Sequence, residues 1–189
     1  MTSYLIQMIG SPSVGKSTTA AKLFTKLKDM GLNVELVTEY CKNWIWDKRE
    51  ITPYSEMYFF GKQSHAESHL FNKVEYIVTD SPTLLAAFYQ WYYNGNNCLS
   101  SACREFYKRA AEDNVKVLNF LLPRKKAYNP KGRLQTEKES DELALLLKGW
   151  LDQEGYPYIN LNCLDSERVD KVMSYLRTMT GGFNGMALV

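Results

Sequence analysis

Gly10-Ser11-Pro12-Ser13-Val14-Gly15-Lys16-Ser17 decides how this chain is read. It fits the pattern G-x-x-x-x-G-K-[ST] at every fixed position. Before it, Tyr4 to Ile9 is a short apolar run that suits a buried strand. After it, Ala20, Leu23, Phe24 and Leu27 fall at helical spacing between Lys16 and Met30, and Gly31 closes that helix. A glycine-rich turn between strand and helix lets successive backbone N–H groups wrap an anion, with the positive helix end behind them. Lys16 then reaches the β- and γ-phosphates of a nucleoside triphosphate, and the Ser17 hydroxyl reaches Mg²⁺. Gly10, Ser13, Val14, Gly15, Lys16, Ser17 and Thr18 are the candidate ATP-binding residues. ATP and Mg²⁺ are the expected cofactors.

This is a P-loop (Walker A) signature, and the rest of the chain continues in the same architecture. Strands are expected at Asn33–Thr38, Tyr76–Thr79, Val115–Leu122 and Tyr158–Leu161. Helices are expected from Thr52-Pro53 to about Leu70, at Thr83–Tyr93, Ser101–Asp113, Glu139–Glu154 and Ser166–Thr180. Strands alternating with helices imply a parallel sheet covered on both faces. The expected fold is α/β: a three-layer P-loop NTPase with a basic lid loop. Residues 1–180 read as one domain, with the lid at about 124–138 and a flexible tail at 181–189.

Composition narrows the class. The chain has 189 residues, 45% apolar and 23% charged, as soluble globular proteins do. No apolar run is long enough to span a bilayer. Met1-Thr2-Ser3 lacks a basic region and the following apolar run ends in glycine and lysine, so a signal peptide is not expected. A cytoplasmic location follows, with no membrane partner. Cys41, Cys98, Cys103 and Cys163 form no CxxC pair and read as free thiols. His65 and His69 share a helix face, but Glu67 is misplaced for H-E-x-x-H. The net charge of +2 is mild. However, Arg124, Lys125, Lys126, Lys131 and Arg133 crowd into one loop, which can meet phosphate. Oligomeric state stays open.

In open parallel sheets, ligands bind beyond the carboxyl ends of the strands. Asp80 follows the third strand, where it can hold Mg²⁺ or cap the next helix. Glu39 follows the second strand. There it can take the proton of an attacking hydroxyl, organise Mg²⁺ or pair with an arginine. A kinase must close over its phosphates or waste ATP on water. Arg124 and Arg133 are the candidates for stabilising the transferring group, unless the lid is only a solvated turn. Lys16, Glu39, Asp80, Arg124 and Arg133 form the candidate catalytic set. Trp44, Trp46, Tyr54, Tyr58, Phe59 and Phe60 form a dense aromatic stretch, either core or a stacking wall. Gln63 can read a base edge. Glu39, Tyr40, Trp44 and Gln63 are the candidate substrate contacts.

Gly10–Ser17, Val37-Thr38-Glu39-Tyr40, Phe60-Gly61-Lys62-Gln63, Val78-Thr79-Asp80 and Gly132-Arg133 stand in an order that resembles the ribosylnicotinamide kinase domain of bifunctional NAD-biosynthesis regulators. The resemblance covers about Tyr4 to Asp165. The glutamate ending the second strand is also similar to the base of deoxynucleoside kinases. The resemblance implies Glu39 near the acceptor hydroxyl, Asp80 near Mg²⁺ or substrate, and Arg133 in the lid. The third strand ends Asp80-Ser81-Pro82 where the regulators have aspartate-x-aspartate. The small format resembles bacteriophage members, some similar to kinases that phosphorylate 5-hydroxymethyluracil in phage DNA. The expected function is therefore ATP-dependent transfer of the γ-phosphate to a hydroxyl of a nucleoside unit. The leading acceptor is the hydroxymethyl group of that DNA base, and nicotinamide riboside or a deoxynucleoside is the alternative. A regulatory P-loop ATPase with no acceptor is the competing class, and a nucleic-acid-binding module with a degenerate nucleotide site is a third reading.

Overall fold

The computed structural model describes residues 1–52, 54–131 and 134–182. Pro53, Gly132, Arg133 and residues 183–189 lie outside the described residues. The expectations for Arg133, for the Pro53 helix start and for most of the tail therefore lie there too.

The elements run β1 (Ser3–Ile9), α1 (Lys16–Asp29), β2 (Val34–Val37), α2 (Cys41–Trp46), α3 (Ser55–Ser68) and β3 (Tyr76–Thr79). They continue with α4 (Thr83–Asn94), α5 (Cys98–Glu112), β4 (Val115–Leu121), α6 (Glu137–Glu154), β5 (Ile159–Asn160) and α7 (Arg168–Thr180). The five strands form one parallel sheet in the order β2-β3-β1-β4-β5. The α/β P-loop NTPase architecture is the one observed.

The two-residue period of a strand divides the core. Tyr4, Ile6 and Met8 of β1, Tyr76 and Val78 of β3, and Leu118 and Phe120 of β4 face Ala20, Leu23 and Leu27 of α1. Val172, Met173 and Leu176 of α7 complete that layer. Alternate residues face the other way. Ile9 and Leu121 pack with Leu84 and Phe88 of α4 and Leu147 and Trp150 of α6, and Leu5 and Ile77 pack near Ala110 of α5. Because β1 has helices on both faces, it reads as a buried, mostly apolar run interrupted by Gln7 rather than as an alternating strand. No helix among the described residues is long and apolar enough to cross a membrane.

Four elements differ from the sequence reading, among them α5, which starts at Cys98 rather than Ser101. The short helix α2 has no buried residue, so it carries no apolar periodicity by which to see it. Thr52 does not cap α3. The helix starts at Ser55, whose Oγ accepts from the Thr52 N–H at 2.9 Å, and its N-cap position is Tyr54. The helix expected from Glu139 starts at Glu137. Thr136 caps it, accepting from the Glu139 N–H while the Glu139 carboxylate accepts from the Thr136 N–H at 2.6 Å. This is a capping box inside what reads as loop.

Candidate active site

The cradle lies at the carboxyl end of β1, the central strand. Ser13 takes a left-handed conformation at φ 65°, and Gly15, the N-cap of α1, does so at φ 96°. A Cβ on Gly15 would stand 3.1 Å from Arg168 Nη1 and 3.3 Å from Lys126 Nζ, so any side chain there is both strained and crowded. A Cβ on Gly10 would stand 2.8 Å from the Leu122 carbonyl oxygen, at the point where β1 hands over to β4. The Lys16 ammonium donates to the carbonyls of Gly10 at 2.7 Å and Ser11 at 3.0 Å, folding along the loop it serves.

Neighbouring strands bring the carboxylates. Thr79 of β3 pairs in register with Gln7 of β1, so Asp80 stands level with Met8, just below the cradle. Asp80 is only 6% exposed, and its Oδ1 has no hydrogen-bond partner. A buried carboxylate oxygen left without a donor is costly, and a hydrated divalent cation satisfies it. Ser17 and Asp80 thus fit Mg²⁺. Among the described residues no cluster of three or more His, Cys, Asp and Glu could hold a metal unaided. Val37 of β2 pairs with Thr79, and Glu39 extends two residues beyond it, above the sheet edge.

A cavity of about 590 Å³ runs from the cradle to Glu39, and Asp80 is not among the residues that line it. Ser13, Gly15, Lys16, Ser17, Thr18 and Lys126 line one end. Glu39, Cys41, Glu56, Tyr89 and Tyr93 line the other. Glu39 and Glu56 both act on Cys41 and Tyr89. Burial first, then Glu39, then Glu56 push the Cys41 thiol up to about 12. The Tyr89 hydroxyl rises well above its ordinary value, again from burial first and Glu39 next. Burial alone pushes the Glu56 carboxyl up to about 7.

Other sequence candidates stand elsewhere. Tyr40 lies outside the cavity and shares a 2.7 Å hydrogen bond with the Tyr58 hydroxyl. Trp44 packs edge-on against Phe59, with ring centroids 5.1 Å apart, and borders a separate hollow with Tyr40 and Arg49. Gln63 is buried, and its amide donates to Thr79 Oγ1 at 3.3 Å. Arg124 pairs with Glu137 and Asp141 of α6 rather than lining the cavity. Lys126 takes the cavity position instead.

Glu56, Glu67 and Arg168 escaped the sequence reading as site residues, and Lys126 stood there only as one of the basic lid cluster. Glu56 and Lys126 carry no motif, and only folding brings them to the cavity. The lid is fastened down where the Asn129 N–H donates to Ser13 Oγ at 2.9 Å and Ser140 Oγ donates to the Pro12 carbonyl at 2.8 Å. Arg168, fully buried, donates to the Val14 carbonyl at 2.6 Å and to that of Pro123, and pairs with Asp165 at 3.0 Å. It ties the cradle, the root of the lid and α7 together. Glu67, also fully buried, accepts from the Thr83 N–H at 3.0 Å and hydroxyl at 2.9 Å, anchoring the start of α4 beside Asp80. Burial pushes its carboxyl up to about 8, against the opposing pull of those hydrogen bonds.

Solved kinases share this fold. The structure of NadR protein in complex with NR superposes with a TM-score of 0.72 at 17% identity, covering 99% of this chain and 54% of that one. The chain thus spans about half of that protein's length. Deoxyadenosine kinase from M. mycoides with bound dATP gives 0.59 at 19% identity, covering 92% and 98%. Thymidylate kinase from Ehrlichia chaffeensis gives 0.58 at 16%, covering 94% and 100%. Comparison with curated proteins finds no match. The AAA domain family matches residues 5–168, most of the chain, and the chain belongs to that family.

Proposed function

We propose that the protein is an ATP-dependent kinase that moves the γ-phosphate to an alcohol of a nucleoside unit, with the hydroxymethyl group of 5-hydroxymethyluracil in DNA as acceptor. One observation carries this reading. A single cavity holds Lys16 and Ser17 at one end and two carboxylates, Glu39 and Glu56, at the other. Among the described residues, no cationic side chain lines that second end. An acceptor phosphate entering there would meet the Glu39 carboxylate and a buried Glu56, with no counter-charge. A neutral unit carrying a hydroxyl would not. A base turned out of a DNA strand brings only such a unit inside and leaves its phosphates at the rim. In this reading Lys42, Lys48 and Arg49, in and just after α2, and the exposed Lys125 and Lys131 of the lid are the cations that would meet them.

In this reading the backbone of the cradle and Lys16 hold the triphosphate. The acceptor oxygen attacks the γ-phosphorus as the bond to the β–γ bridging oxygen breaks, and its proton passes to Glu39. ADP leaves with the bridging oxygen. Ser17 and Asp80 would hold Mg²⁺ through water, and the ion would neutralise charge on the phosphates. The docked lid keeps water from taking the acceptor's place. A free nucleoside, such as nicotinamide riboside or a deoxynucleoside, meets the same requirement for an uncharged hydroxyl unit and is the second reading.

The test is transfer of labelled γ-phosphate from ATP to 5-hydroxymethyluracil DNA, unmodified DNA, nicotinamide riboside and deoxynucleosides, with wild type and Glu39→Gln. Label on modified DNA alone, lost in the variant, is the expected result. Label on a free nucleoside moves the protein to the second reading. Release of inorganic phosphate with every acceptor unlabelled sinks the kinase reading and favours an ATPase.

A further inference from the structure

Glu56 is the best-placed group that this mechanism leaves unused. It is the second residue of α3, 7% exposed, and lines the acceptor end of the cavity. Among the described residues it has no ion-pair or hydrogen-bond partner. The titratable groups that face it are Glu39 from the β2–α2 connection, Cys41 from the start of α2, and Tyr89 and Tyr93 from α4. None of them is a cation. A carboxylate buried among carboxylate, thiol and phenols is disfavoured as an anion, and its carboxyl is held near neutrality. Its protonated form presents an O–H donor beside a C=O acceptor. That pair has the same shape as the amide with which Asn and Gln grip a base edge.

We propose that Glu56 reads the acceptor, pairing as a carboxylic acid with a neutral ring edge on which N–H and C=O lie side by side, as on the imide edge of a pyrimidine. This rests on the kinase reading above and adds the substrate class. Glu39 faces the hydroxyl, and Glu56 holds the ring that carries it. Two carboxylates at one end of a cavity thereby divide the work, one accepting a proton and one sharing its own. Glu56 is a specificity residue, so its loss acts on acceptor binding and not on the hold on ATP.

The experiment is calorimetric titration of the full chain, loaded with a non-hydrolysable ATP analogue and Mg²⁺, with three probes: thymidine, deoxyadenosine and an oligonucleotide carrying 5-hydroxymethyluracil. Glu56→Ala is expected to weaken binding of the two pyrimidine probes about ten- to a hundredfold, with affinity for the ATP analogue unchanged. Glu56→Gln, which keeps the donor–acceptor pair, rescues most of that loss. Wild-type affinity falls as pH rises from 6 to 8, because the acid form disappears, while Glu56→Gln stays flat. The flat profile tests the idea even if Glu56→Ala does not fold. Pyrimidine binding by Glu56→Ala equal to wild type overturns the proposal. So does Glu56→Gln as weak as Glu56→Ala, which would make Glu56 a bound anion, and so does a wild type that binds none of the probes. If the probes bind as expected but no phosphate is transferred, the kinase reading fails and the role of Glu56 stands.

Discussion

At the scale of single residues, the site is a set of groups held out of their ordinary states. The Lys16 ammonium lies along the carbonyls of Gly10 and Ser11, which phosphate oxygens would replace in the proposed reading. Lys16→Ala is expected to abolish phosphate transfer and to weaken an ATP analogue by about tenfold or more, measured by titration. Glu39→Gln should leave ATP affinity intact and lower the transfer rate by about a hundredfold or more, if Glu39 takes the proton. Glu67 gives a pH signature that does not depend on activity. Its folded-state carboxyl titrates near 8, far above its ordinary value of 4.5. Between those values the unfolded chain has released a proton that the folded chain keeps, so stability falls as pH rises through that window. Thermal unfolding at pH 5 and pH 8 should show that loss in wild type. Glu67→Gln, which can still accept from Thr83, should show less of it. Lys16 and Ser17 were legible in the sequence because a motif fixes their spacing. Glu56, Glu67 and Arg168 were not, because a buried charged residue reads like a surface one until its neighbours are known.

At the scale of elements, the lid is the informative piece. Its sequence, 124–138, lacks apolar periodicity and reads as a mobile basic loop. In the structure it is pinned at Asn129 to Ser13, through Tyr128 to the Gln135 carbonyl, and from the Gln135 amide to the Tyr93 hydroxyl at 3.1 Å. Its far end is set by the Thr136 capping box of α6. Arg124 is committed to Glu137 and Asp141, which leaves Lys126 as the described lid cation over the cradle. Thr136→Ala is expected to cost about 1 kcal/mol of stability. It should also raise amide hydrogen exchange across 134–140 before it affects the sheet. The capping box was present in the sequence as Thr136-x-x-Glu139. It was hidden because the reading placed the helix start where apolar spacing begins, and caps lie ahead of that spacing.

At the scale of the whole molecule, β1 sits between β3 and β4, and the chain returns to it from both sides. That order sets Glu39, Asp80 and the lid around one cradle, although far apart in the sequence. Arg168 closes the arrangement from α7 by holding the Val14 and Pro123 carbonyls and Asp165. Replacing it with methionine leaves those oxygens without their donors in a dry place. The expected loss is about 2–4 kcal/mol in urea unfolding, with weaker ATP binding because the cradle is no longer braced. The sequence by itself determined the strand–cradle–helix unit, the alternation that makes a parallel sheet, and the carboxylates at two strand ends. Each of these is written in contiguous residues, as a motif, a period or a run. Tertiary structure alone decided which carboxyl groups share a cavity, which lid cation lines it beside the cradle, and that Tyr40, Trp44 and Gln63 stand apart from it. Those outcomes depend on which helix faces fold together, and no local pattern encodes distances between segments that meet only when the sheet assembles.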